Sequence, residues 1–96
     1  MRNKTRKPTS PGEMLNAEFL KPLGLTQSKF ADHIGESPAA VSRIVNGRKR
    51  LTPKLAAKFA AAFEMSVEFW LRLQVQLDVW TIQSRRLKLP KPLIRS

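Results

Sequence analysis

The chain has no cysteine and a single histidine, His33. Disulfides, thiolate metal sites and cysteine nucleophiles are therefore excluded, and an imidazole cluster cannot be built. Acids are scarce as well: seven Asp and Glu stand against 18 Lys and Arg, a formal charge of +11. On so short a chain that field favours polyanions, nucleic acid first and an acidic membrane or protein after it. Long apolar runs are also missing. No stretch of about 18 apolar residues occurs, and Pro8, Pro11, Gly12 and Glu13 interrupt the basic start, so the expectation is a soluble, non-exported, cytoplasmic protein. With 96 residues the chain fits one small domain. A large enzyme with a substrate domain is excluded, and no metal or cofactor is expected.

The positive charge sits mainly at the two ends. Arg2, Lys4, Arg6 and Lys7 precede any acid, and Arg85, Arg86, Lys88, Lys91 and Arg95 crowd the last residues, leaving +2 for residues 11–84. This divides the chain into a basic arm over 1–9, a nearly balanced domain over 10–84 and a basic tail over 85–96.

Within the domain, capping signals predict five helices. Ser10-Pro11-Gly12-Glu13 places a hydroxyl before a proline and a glutamate three residues on, the capping-box arrangement. Met14, Leu15, Phe19 and Leu20 then recur at helical spacing, and Pro22 with Gly24 are expected to end this first helix. Thr26 caps the second, with Phe30, Ala31 and Ile34 on its buried face and Gly35 as its stop. Ser37-Pro38 opens the third, striped by Val41, Ile44 and Val45 and closed by Asn46-Gly47; Thr52-Pro53 opens the fourth, with Leu55, Ala56, Phe59, Ala60 and Phe63 inward. Ser66 caps a fifth, at about 66–83. No strand alternation is found except, at most, Leu87-Lys88-Leu89, so the fold class is all-α.

The fifth helix has two apolar sides. Trp70, Leu73, Leu77 and Trp80 run down one, and Val67, Leu71, Val75, Val79 and Ile82 down the other. A helix apolar on two sides normally has two neighbours. In so small a domain the second neighbour is expected to be another copy of the chain, through Leu71, Val75, Val79 and Ile82, although packing on the first and fourth helices is the alternative.

Two helices joined by a short glycine turn, the second rich in small residues, resemble a helix-turn-helix DNA reader. The residues that carry the resemblance are Thr26-Gln27-Ser28-Lys29-Phe30-Ala31, Gly35, the run Ser37 to Ile44, and Asn46-Gly47-Arg48. They look like the lambda-repressor type of five-helix bundle, over residues 25 to about 63. The wider chain, residues 8–80, is similar in order to the HigA family of antitoxins. The similarity lies in Pro8 to Leu15, Glu18 to Gln27, Val45-Asn46-Gly47-Arg48-Lys49-Arg50-Leu51-Thr52-Pro53 and Glu68-Phe69-Trp70-Leu71-Arg72-Leu73-Gln74. This resemblance implies a dimeric repressor that binds double-stranded operator DNA of its own operon and neutralises a HigB-like toxin that cleaves messenger RNA. Spacing alone supports the DNA reader, and a stand-alone helix-turn-helix repressor is the alternative.

Residue chemistry assigns roles within that reading. Side chains near the start of a helix in the major groove reach base edges, and small ones let it sit deep, which points to Ala39, Ala40, Ser42 and Arg43 as base readers. Arg43 has the fork that matches guanine O6 and N7, and an alanine methyl can touch a thymine methyl. A phosphate contact or a solvated position is the alternative for Arg43, and plain helix formation for the alanines. Gln27 and Ser37, at the starts of the second and third helices, sit beside exposed N–H groups that favour anions. Asn46, Arg48, Lys49 and Arg50 complete the expected phosphate set. Ser37 is equally a cap, and Asn46 with Gly47 equally a helix stop.

The competing readings lack their parts. Glu64 and Glu68 are separated by the Ser66 cap and have no base or metal-ligand cluster beside them, so no enzyme is expected. Pro8, Pro11, Pro90 and Pro92 prevent the basic ends from forming continuous interfacial helices, so no membrane partner is expected. A single-strand RNA reader needs exposed aromatic platforms, whereas all seven aromatics here fall on apolar stripes.

Overall fold

The computed structural model of the protein describes residues 6–94; Arg2, Lys4 and Arg95 of the basic ends lie outside them. Among the described residues there are five helices and no strand. Helix α1 spans 11–23, α2 Gln27–Ile34, α3 Pro38–Val45, α4 Pro53–Phe63 and α5 Val67–Gln83. Every start carries the side-chain cap its sequence announces. The Oγ of Ser10, Thr26, Ser37, Thr52 and Ser66 accepts from the backbone N–H three residues on, which satisfies one of the orphan donors of each first turn. At α1 the box is reciprocal, with the Ser10 N–H donating to Glu13 Oε1 at 2.9 Å.

Helix α1 departs from the expected regular helix. Leu15–Leu20 forms a π turn, which lets Leu15 and Leu20, five residues apart, both be almost fully buried. Pro22 lies inside the helix rather than ending it. The widened turn, closed by the Lys21 N–H on the Asn16 carbonyl, comes directly before a proline whose ring would otherwise crowd the carbonyl four residues back. Gly24 then ends α1 in the left-handed region (φ 67°). Helix α4 ends the same way without a glycine, on Glu64 at φ 54°, a conformation that costs a residue with a Cβ about 1–2 kcal/mol.

The core is built from rings. Phe19 lies 4.5 Å from Phe63, Phe30 stacks on Phe63 at 5.3 Å, and Phe59 and Phe69 each meet Trp70 edge-on at 5.2 Å. Such pairs add about 0.5–1.5 kcal/mol each beyond the area they bury. This packing offsets the cost of the Trp70 indole N–H, which is buried with no hydrogen-bond partner among the described residues. Leu15, Leu20, Val41, Ile44, Leu51 and Leu55 complete the same cluster.

One contact has no side chain between its partners. Gly12, buried in the first turn of α1, lies directly on the backbone of α3: a Cβ there would overlap the Ile44 carbonyl oxygen and stand 2.8 Å from the Val45 Cα. Only glycine permits that approach. Among the described residues no helix is long and apolar enough to cross a membrane.

Candidate nucleic-acid interface

Helix α3 is held from three directions. Val41 and Ile44 are buried in the core, α1 packs on its C-terminal half at Gly12, and α2 packs along it through the turn at Gly35 and Glu36. Glu36 in that turn is tied to α4 by its carboxylate on Lys58 Nζ at 2.7 Å. That bond holds the Glu36 carboxyl below its ordinary value.

What remains outward is the arc opposite Val41 and Ile44. By the helical repeat of about 3.6 residues, Ala39, Ser42, Arg43 and Asn46 share it; Ala39, Arg43 and Asn46 are exposed and Ser42 half-buried. Ala40 stands at the flank, half-buried. Ser42 and Asn46 are joined, the Asn46 Nδ2 donating to Ser42 Oγ at 3.3 Å. Ser37 Oγ is the N-cap, accepting from the Ala40 N–H at 3.1 Å, and Gln27, half-buried, opens α2. The structure thus brings Ala39, Ser42 and Arg43 to one face and sets Ser37 and Gln27 at the starts of the two helices.

The loop after α3 begins with a Schellman closure, the Gly47 N–H on Ile44 O at 3.1 Å and the Arg48 N–H on Arg43 O at 2.7 Å. Arg48, Lys49 and Arg50 follow, all exposed. They are not equivalent. Arg48 and Lys49 have no side-chain bond to a described residue, while Arg50 donates from Nη1 and Nη2 to the two carboxylate oxygens of Asp78 on α5, each at 2.8 Å. The same loop lines an open cleft of about 520 Å³ against α5 and the start of α1, which Arg85 also borders.

Sequence reasoning did not single out Gly12, Gln74, Asp78 or Arg85 in this region. The first three act through partners 23 or more residues away, and no local spacing signals them. Arg85 belongs by sequence to the basic tail, and only the fold brings it to this cleft. Of the residues expected between chains, Leu71 packs against this chain's own core, whereas Val75, Val79 and Ile82 are exposed. Among the described residues no group of three or more His, Cys, Asp and Glu could hold a metal.

The helix-turn-helix family matches residues 17–70. Over the full length of the chain the sequence is 41% identical to antitoxin HigA-1 of Vibrio cholerae, covering 93% of that protein. It is 43% identical to an HTH-type transcriptional regulator of Haemophilus influenzae, over 85% of this chain and 77% of that one. Among solved structures, the antitoxin HigA of Pseudomonas aeruginosa with the higBA promoter superposes with a TM-score of 0.78 at 27% identity, over 80% of this chain and 84% of that one.

Proposed function

The chain belongs to the HigA family of helix-turn-helix proteins, and from that membership we propose that it binds operator DNA as a homodimer, represses its own operon and neutralises an mRNA-cleaving toxin. The observation that carries the DNA reading is the division of α3 into a buried stripe and an outward face on which one long donor, Arg43, stands among the small residues Ala39 and Ser42. The related HigA structure, solved with a promoter, supports it.

In this reading α3 enters the major groove from its N-terminal end. Arg43 reads a guanine through its two parallel donors, and Ala39 and Ala40 offer methyl groups to thymine. Ser42, linked to Asn46, presents a hydroxyl at the same level. Gln27, Ser37 and Asn46 with Arg48 and Lys49 hold the phosphates, which set register without carrying sequence. Two copies joined through Val75, Val79 and Ile82 set their α3 helices in successive grooves, about 34–36 Å apart for half-sites one turn apart.

The test is a titration of the full chain on its own upstream DNA and on scrambled DNA across a salt series. Arg43→Ala relaxes preference at one base position, while Arg48→Ala weakens all sequences alike and shallows the salt slope by about one. Uniform weakening by Arg43→Ala rejects it as a base reader. Adding the product of the neighbouring gene examines the second role: protection of RNA from that product supports the antitoxin, and undiminished cleavage leaves a stand-alone repressor.

A further inference from the structure

The third cation of the loop is bonded differently from the first two. The Arg50 guanidinium meets the Asp78 carboxylate fork to fork, at 2.8 Å for both bonds. Asp78 Oδ1 also accepts from Gln74 Nε2 at 2.9 Å. Gln74 is 6% exposed, a buried polar side chain one turn before Asp78 on α5, and its Oε1 accepts from the Leu51 N–H at 2.8 Å. The head group of Arg50 and the backbone of the next residue are therefore held by two neighbouring side chains of one helix. Leu51 itself is seated in the core.

Resting on the DNA reading above, we propose that Arg50 is a positioning residue and not a phosphate ligand. With Asp78 and Gln74 it clamps the loop to α5, so that Arg48 and Lys49 meet the backbone in a fixed register. The chemistry favours this assignment over the one that the bare run of cations suggests. A carboxylate offers the same two-oxygen edge that a phosphate offers to an arginine fork, so Asp78 already occupies the Nη1–Nη2 edge of the guanidinium and neutralises its charge. Drawing Arg50 away would also uncover an anion in the cleft beside Arg48 and Lys49, where DNA would meet it. Because α5 also carries the exposed stripe proposed to join the protomers, the clamp ties the loop to the element that sets the distance between half-sites.

The experiment compares wild type, Arg48→Ala, Arg50→Ala and Arg50→Lys on upstream DNA across a salt series, with amide exchange at Leu51 in the DNA-free proteins. A phosphate ligand releases counterions, so its loss lowers the slope by about 0.9; a positioning residue leaves the slope where it was. The expected result is that Arg48→Ala shallows the slope. Arg50→Ala and Arg50→Lys each weaken binding several-fold at unchanged slope and speed Leu51 exchange, because an ammonium cannot span both Asp78 oxygens. A slope lowered by Arg50→Ala and restored by Arg50→Lys overturns the clamp and makes Arg50 a phosphate contact. Unchanged affinity in both Arg50 variants also overturns it. A wild-type chain with no preference for its upstream DNA overturns the DNA reading itself, a different result from either.

Discussion

Helix α5 is one continuous element of 17 residues, yet its two halves have different surroundings. Through Gln74 it belongs to the protomer: Trp70 is fully buried among the rings of Phe19, Phe59, Phe63 and Phe69, and Gln74 takes up a backbone N–H of the facing loop. Beyond it, Val75, Val79 and Ile82 stand 57%, 48% and 51% exposed at helical spacing. The apolar pattern is equally strong in both. Hydrophobicity along a helix therefore marks surface to be covered, and only the reach of the bundle decides whether the chain itself covers it.

Three substitutions or conditions bear on that contrast. Trp70→Ala, in the enclosed half, is expected to cost about 3–5 kcal/mol in denaturant unfolding, a large share of the stability of a small domain. A loss below about 1 kcal/mol would mean that the rings are not the core. Val79→Asp, in the bare half, is expected to leave the far-ultraviolet spectrum intact and change protomer stability by no more than about 0.5 kcal/mol. Sedimentation equilibrium should show the proposed dimer in the wild type and its loss in the variant; a persisting dimer moves the interface off this stripe.

The smallest effect is with acid. The Asp78 carboxyl, beyond the boundary between the halves, is held below its ordinary value, chiefly by the bond from Arg50, and Glu36 chiefly by the bond from Lys58. A carboxyl with a lower value in the folded chain contributes stability that is complete above its unfolded value and is lost as pH falls through the folded one. Melting temperature should thus be level from neutral pH down to the ordinary glutamate value of 4.5 and decline below it. Both pairs keep contact with solvent, Glu36–Lys58 half-buried and Arg50–Asp78 more open, so the decline from each is small, and Glu36→Gln should remove its share.

The contrast also separates what was legible in the sequence from what was not. Helix starts were legible because a cap is local chemistry: Ser10-Pro11, Ser37-Pro38 and Thr52-Pro53 announce themselves within three residues, and all three helices begin there. The two apolar sides of α5 were equally plain. Which stretch of the second side would remain uncovered was not, because that depends on where α4 and the loop end against it. The π turn of α1 was hidden for a related reason, since spacings of four and five both look helical on paper. At the interface, the outward arc of α3 followed from its buried stripe, but the different state of Arg50 depends on an aspartate 28 positions away.

The seating of α1 on α3 at Gly12 has a consequence for how this protein can change. Helix α3 is anchored there through its backbone, on the side away from Ala39, Ser42 and Arg43, so the side chains that face outward can be exchanged without loosening what holds the helix. Position 12 becomes intolerant while positions 39, 42 and 43 become permissive. With bases read from those positions as proposed, a lineage with that division of labour can drift from one target sequence to another by single replacements, each leaving a foldable intermediate.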